Sequence, residues 1–166
     1  MRFIDMKKLF RKLRGTVVNA LKQGWKPSAV CWSGAWGLTI GLFPIYGVTT
    51  AVLGIIGWVW KMNHAVMQAF NYLASPLKFL LIIPYIRLGE WMFQTKTPFS
   101  LSIPEFTRRF RAAPWDTLGE FAMTFLHAIC GWLISVPFWL GIVYFTMQAL
   151  LKMGAATRKQ MKEIST

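Results

Sequence analysis

The sequence is poor in the residues that carry most enzyme chemistry: among 166 residues, six are acidic, two are histidine and two are cysteine. His64 and His127 stand far apart and outside any two-histidine metal spacing, so each reads as a packing or interfacial residue. Asp116 and Glu120, four residues apart, fit a solvated helix start. Cys31 and Cys130 lie within apolar runs, where a small hydrophobe is the ordinary role, and they set up no disulfide or zinc framework. No catalytic constellation, metal site or cofactor-binding motif is predicted.

Charge is scarce as well, at 15% of residues, against 55% hydrophobic and 16% aromatic. A soluble domain carries about a quarter charged residues and has nowhere to bury so much apolar surface. An all-α integral membrane protein is the fold class this composition predicts. The 19 basic and 6 acidic residues give a net charge of +13. The basic residues flank the apolar runs, which points to positive-inside topology and anionic headgroups as partners, with no nucleic acid. The first apolar run starts near Ser28 and is too long for a signal-peptide core, so the chain is expected to keep its N-terminus.

Four units follow along the chain. Residues 1–26 place Phe3, Met6, Leu9, Phe10, Leu13, Val17, Ala20 and Leu21 at helical spacing, with Lys7, Lys8, Arg11, Lys12 and Lys22 opposite. This predicts a basic amphipathic helix, lying in the membrane interface or packed on the rest of the protein. Residues 28–60 contain no charge, and one straight helix would measure roughly 50 Å against a hydrocarbon core of about 30 Å. Gly41, Pro44 and Gly47 interrupt the run, predicting two short helices and a tight turn. Such a hairpin either crosses twice or is re-entrant.

Residues 64–93 are broken at Pro76 and Pro84 and carry Lys78, Arg87 and Glu90. The run from Phe121 to Leu151 lacks charge and has Pro137 near its middle. Both are expected to fold as proline-broken hairpins; for the last, a single long tilted helix is the alternative. The resulting division is an interfacial helix over 1–26, two broken hairpins over 27–95, a basic interfacial connector over 96–120 and a C-terminal hairpin with a basic tail over 121–166. Because every connector is basic, each run should leave and return on one side, with both termini and Arg108, Arg109 and Arg111 cytoplasmic. Trp25, Trp58, Trp60, Trp91 and Trp115 fall near run ends, as aromatic belts do, whereas Trp32 and Trp36 lie deeper.

The middle of the chain resembles a bacterial family named only as domain of unknown function 2062. Gly41, Pro44, Gly47 and Thr49 match its Gly-x-x-Pro-x-x-Gly-x-Thr segment, followed by Asn63, the Ser75-Pro76-Leu77 step and the stretch from Ile83 to Trp91. The resemblance covers about Trp25 to Phe93 and implies a bacterial inner-membrane location without implying an activity. Lys78 departs from the pattern, since many members have an uncharged polar residue after the proline step.

Lys78, Arg87 and Glu90 form the candidate site. In the structural reading, Arg87 pairs with Glu90 at i and i+3 while Lys78 snorkels to the interface. In the functional reading, proline-broken half-helices and these cations converge on an anionic lipid headgroup, a phospholipid or polyprenyl phosphate that is bound or translocated. The alternative role is a non-transporting scaffold or regulator of an envelope-biogenesis partner. The short chain makes a homo-oligomer the expected assembly.

Overall fold

The computed structural model describes residues 6–45, 47–95, 108 and 111–164, and all of its regular structure is helical. The elements are α1 (Met6–Lys22), α2 (Pro27–Gly41), α3 (Val48–Val59), α4 (His64–Met92) and α5 (Pro114–Ile164). Local chemistry sets most of their boundaries. Pro27 stands in the first turn of α2, where its missing amide costs nothing. Gly47, at φ 85°, supplies the left-handed residue that turns the chain into α3. The Asn63 side chain caps α4 by accepting a 3.0 Å hydrogen bond from the Val66 amide.

Close contacts fix the directions of the helices. Ser33 Oγ accepts the Asn63 amide at 3.0 Å, and a Cβ on Gly37 would run into the Met67 backbone. A Cβ on Gly41 would come within 2.7 Å of the Ala74 methyl. Rising together in fours, these pairs make α2 and α4 parallel. Gly89 lies against the His127 backbone and Gly131 against that of Tyr85, so α5 runs antiparallel to α4. Gly57 meets the His64 ring, and the Trp36 and Trp60 rings meet at a tilt with centroids 4.9 Å apart, so α3 runs back down beside both. One end of the bundle, the near end, therefore holds α1, the start of α4 and the end of α5. The far end holds the close of α4 and the start of α5.

The core is continuous from end to end. Ala20 of α1 is buried with Val30, Cys31, Val66, Phe70, Val143 and Met147, and Leu13, Val17 and Leu21 pack against that cluster. Farther along, Leu42, Leu53, Met67, Ala74, Tyr85, Ala128 and Trp132 form the rest. Toward the outside, α4 and α5 are long and apolar enough to cross a membrane, and only 33% and 22% of their most apolar stretches are buried. Trp91 and Trp115 at the far end and Trp58 near the other are 76%, 82% and 79% exposed. Trp32, expected to lie deep, is 41% exposed, although its ring lies 4.6 Å from that of Tyr144.

Three expectations are corrected. The run over 64–93 is a single helix, with Pro76 and Pro84 inside it. The run from Phe121 to Leu151 is likewise part of one helix of 51 residues, Pro114–Ile164, that passes through Pro137. A proline removes one amide and crowds a carbonyl, but without water to receive the freed groups a helix continues past it when its neighbours hold it. Pro84 and Pro137 face outward, where their rings displace no packing partner. As a result, α4 starts and finishes at opposite ends of the bundle, so that run does not return to its own side. The basic connector expected over 96–120 falls at 96–107, 109 and 110 outside the described residues, and from Pro114 it is already α5.

Candidate functional site

Between His64 and Ile86 the only charged side chain is Lys78. Helical periodicity places Met67, Asn71, Ala74, Lys78, Tyr85 and Gly89 along one stripe of α4. The lower part of that stripe meets α2 and the upper part meets α5. Ala74 and Asn71 lie against Gly41, the last residue of α2. Lys78 follows one turn later, at the level of the turn between α2 and α3, and is only 4% exposed. Leu42 and Pro44 of that turn are buried as well.

Arg87 and Glu90 make the expected pair. Arg87 Nη1 donates to Glu90 Oε2 at 2.7 Å, with the arginine side chain half exposed and the carboxylate buried. Together with Trp91, Met92, Gln94 and Thr95 they line an open cleft at the far end. Lys78 and Arg87 do not come together. Nine residues of helix separate them by about 13 Å along the axis and roughly half a turn around it. The three residues therefore form two places: a buried lysine at mid-height, and an ion pair at the mouth of the far end.

Polar groups that sequence reasoning did not single out complete the surroundings. Ser33 Oγ donates to the Ala29 carbonyl at 2.8 Å while accepting the Asn63 amide, tying the feet of α2 and α4 together. Trp132 Nε1 donates to the Thr39 carbonyl at 3.0 Å, and Trp139 Nε1 donates to the Tyr85 hydroxyl at 3.0 Å. Asn71 Nδ2 donates to Gln68 Oε1 at 3.2 Å. Their signal in the sequence is a small polar or indole side chain inside an uncharged run, where each needs a partner. Among the described residues, the Thr39 hydroxyl is the one buried side-chain group without a partner. The two histidines lie apart: His64 against Gly57, and His127 beside Phe93 with ring centroids 5.2 Å apart.

No curated protein and no solved structure matches the chain. The sequence pattern of one family does match, over residues 10–160, from within α1 to near the end of α5. That span takes in the hairpin, Lys78, the Arg87–Glu90 pair and both long helices, well beyond the stretch from Trp25 to Phe93 in which the matching motifs lie. The chain thus belongs to DUF2062, a family described as an uncharacterised protein conserved in bacteria.

Proposed function

We propose that this chain is an integral protein of the bacterial inner membrane that binds the headgroup of an anionic lipid, a phospholipid or polyprenyl phosphate, at Lys78. The observation that carries the reading is a buried lysine halfway along a membrane-length apolar helix, at the level where the neighbouring hairpin turns back. A charge at that depth costs about 3 kcal/mol on insertion scales, and such residues mark ligand or ion sites unless structure explains them. A broken pair of short helices beside the charge is the arrangement by which membrane proteins take up anions at mid-depth.

In this reading the hairpin is re-entrant. Helices of 15 and 12 residues span about 22 and 18 Å, short of the roughly 30 Å hydrocarbon core. Charge gives the orientation. The segments at the near end, residues 1–26, 60–63 and 152–166, hold 13 basic and 2 acidic residues, a balance of +11. Residues 87–120 at the far end hold 5 basic and 4 acidic, a balance of +1. By the positive-inside rule the near end is cytoplasmic, with both termini, while Arg108 and Arg111 face the periplasm. The exposed Arg11, Lys12, Arg14 and Lys22 of α1 then lie among cytoplasmic headgroups.

A second reading has its own observation. Because α2 ends beside Ala74, Lys78 also stands near the carbonyl-rich C-terminus of α2, where a cation is favourable. Native mass spectrometry of the gently solubilised protein separates the two. For the lipid site, wild type retains a phosphate-bearing lipid, and Lys78→Ala and the length-preserving Lys78→Met lose it with melting temperature kept. Lys78→Arg retains part of it. Lower melting temperatures with the full lipid complement would establish the structural role and end the lipid proposal.

A further inference from the structure

Leu42 and Pro44 of the hairpin turn are buried, but among its described residues the turn closes on an uncovered backbone at Gly47. Gly47 is exposed, and nothing lies within 4 Å of where its Cβ would stand. It precedes α3 without any side-chain cap, so the first-turn amides of α3 depend on groups outside their own helix. The tip lies level with Asn71 and Ala74, near the midpoint of the stretch between Lys61 and Arg87. In the membrane orientation proposed above, that is the middle of the hydrocarbon. Irregular backbone is tolerated there only when protein or a water-filled cavity covers it. Among the described residues, the elements that continue beyond the level of the tip are α4 and α5, which pack on each other.

The same hairpin presents a stripe that suits a partner. Val48, Ala51, Ile55 and Trp58 follow one another at intervals of three, four and three, which puts them on one face of α3 in the spacing of a helix–helix seam. All four point away from the rest of the chain; Val48, Ile55 and Trp58 are 45%, 64% and 79% exposed. Ala51 sits where a small side chain lets two backbones come close. The charge balance of +11 against +1 gives every copy the same orientation. Two copies related by a twofold axis along the membrane normal therefore have their tips at equal depth.

We propose that a second copy of this chain covers the hairpin tip, through a twofold interface built on the Val48, Ala51, Ile55 and Trp58 face of α3. The patch is self-complementary, as a twofold contact requires. Each copy covers the open turn of the other, and the Lys78 level of both protomers lies beside one shared interface. The interface rests on the membrane reading and is independent of whether Lys78 holds lipid.

The test is cross-linking in native membranes with copper phenanthroline, in a chain with Cys31→Ala and Cys130→Ala. Val48→Cys and Ala51→Cys should give disulfide-linked dimers, whereas Phe138→Cys, on the outward face of α5, should give none. Native mass spectrometry of the unaltered chain should show twice its 19.0 kDa mass. Monomer alone, absence of the Val48 and Ala51 dimers, or cross-links to a different protein would overturn the proposal. So would reaction of Val48→Cys with a membrane-impermeant thiol reagent, which would put water where the second copy belongs. A chain absent from the membrane fraction would instead defeat the membrane reading beneath it.

Discussion

The two halves of the bundle are built differently. At the near end α1, α2, α4 and α5 come together around one buried cluster, with most of the basic residues in the flanking segments. At the far end, among the described residues, α4 and α5 alone continue, held by Gly89 and Gly131 at their crossing, and acids nearly balance bases. The difference teaches that most of the packing and most of the positive charge are vested in one half. The other half is a pair of rods whose packing depends on two close backbone approaches.

The largest expected effect comes from filling one of the near half's close contacts. Gly37→Leu forces a side chain into the Met67 backbone, which cannot yield as a side-chain tip would. It should separate α2 from α4 and lower stability by about 3 kcal/mol or more, read as the melting temperature in detergent. Gly119→Leu and Gly154→Leu, where nothing lies within 4 Å, are the controls and should change it little. A Gly37→Leu protein as stable as wild type would break the parallel α2–α4 pairing.

A smaller effect is expected from charge. Replacing Arg11, Lys12, Arg14, Lys22 and Lys26 by Gln removes five of the 13 basic residues of the near end. A mixed orientation should appear in reporter fusions at the C-terminus. Replacing Arg108, Arg109 and Arg111 by Gln should leave the orientation as it is. The reverse result would put the far connector in the cytoplasm.

The smallest concerns the foot of α4. Asn63→Ala removes the acceptor for the Val66 amide and should cost about 1 kcal/mol, measured by denaturation. Because the Asn63 backbone amide still donates to Ser33, the link between α2 and α4 should persist. A loss several times larger would mean that the side chain does more than cap.

The helical class, the family and the turn at Gly41, Pro44 and Gly47 were all legible in the sequence, but the behaviour of the other prolines was not. The difference lies in their neighbours. Pro44 has glycines three residues away on both sides, and Gly47 takes the positive φ that reverses the chain. Pro76, Pro84 and Pro137 have no glycine within three residues on either side, so each can bend its helix without ending it. The Arg87–Glu90 pair was legible because its spacing is local. The separation of Lys78 from Arg87 follows from helical periodicity once α4 is known to be continuous, and misplacing breaks at Pro76 and Pro84 concealed it. The Trp132 bond to Thr39 joins residues 93 positions apart, and no local pattern announces such a partner.

The uninterrupted course of α5 makes it a shaft. At about 1.5 Å per residue its 51 residues span roughly 76 Å, more than twice the hydrocarbon core. Its meeting points with α4 leave about ten residues projecting past each end of that helix. Whatever grips one projection is geared to the other: a helix turns about 100° for each residue gained or lost, so one insertion in the shaft redirects everything beyond it. A torque applied to the tail around Lys152 would therefore be felt at Pro114, on the other side of the bundle, through a single piece of backbone.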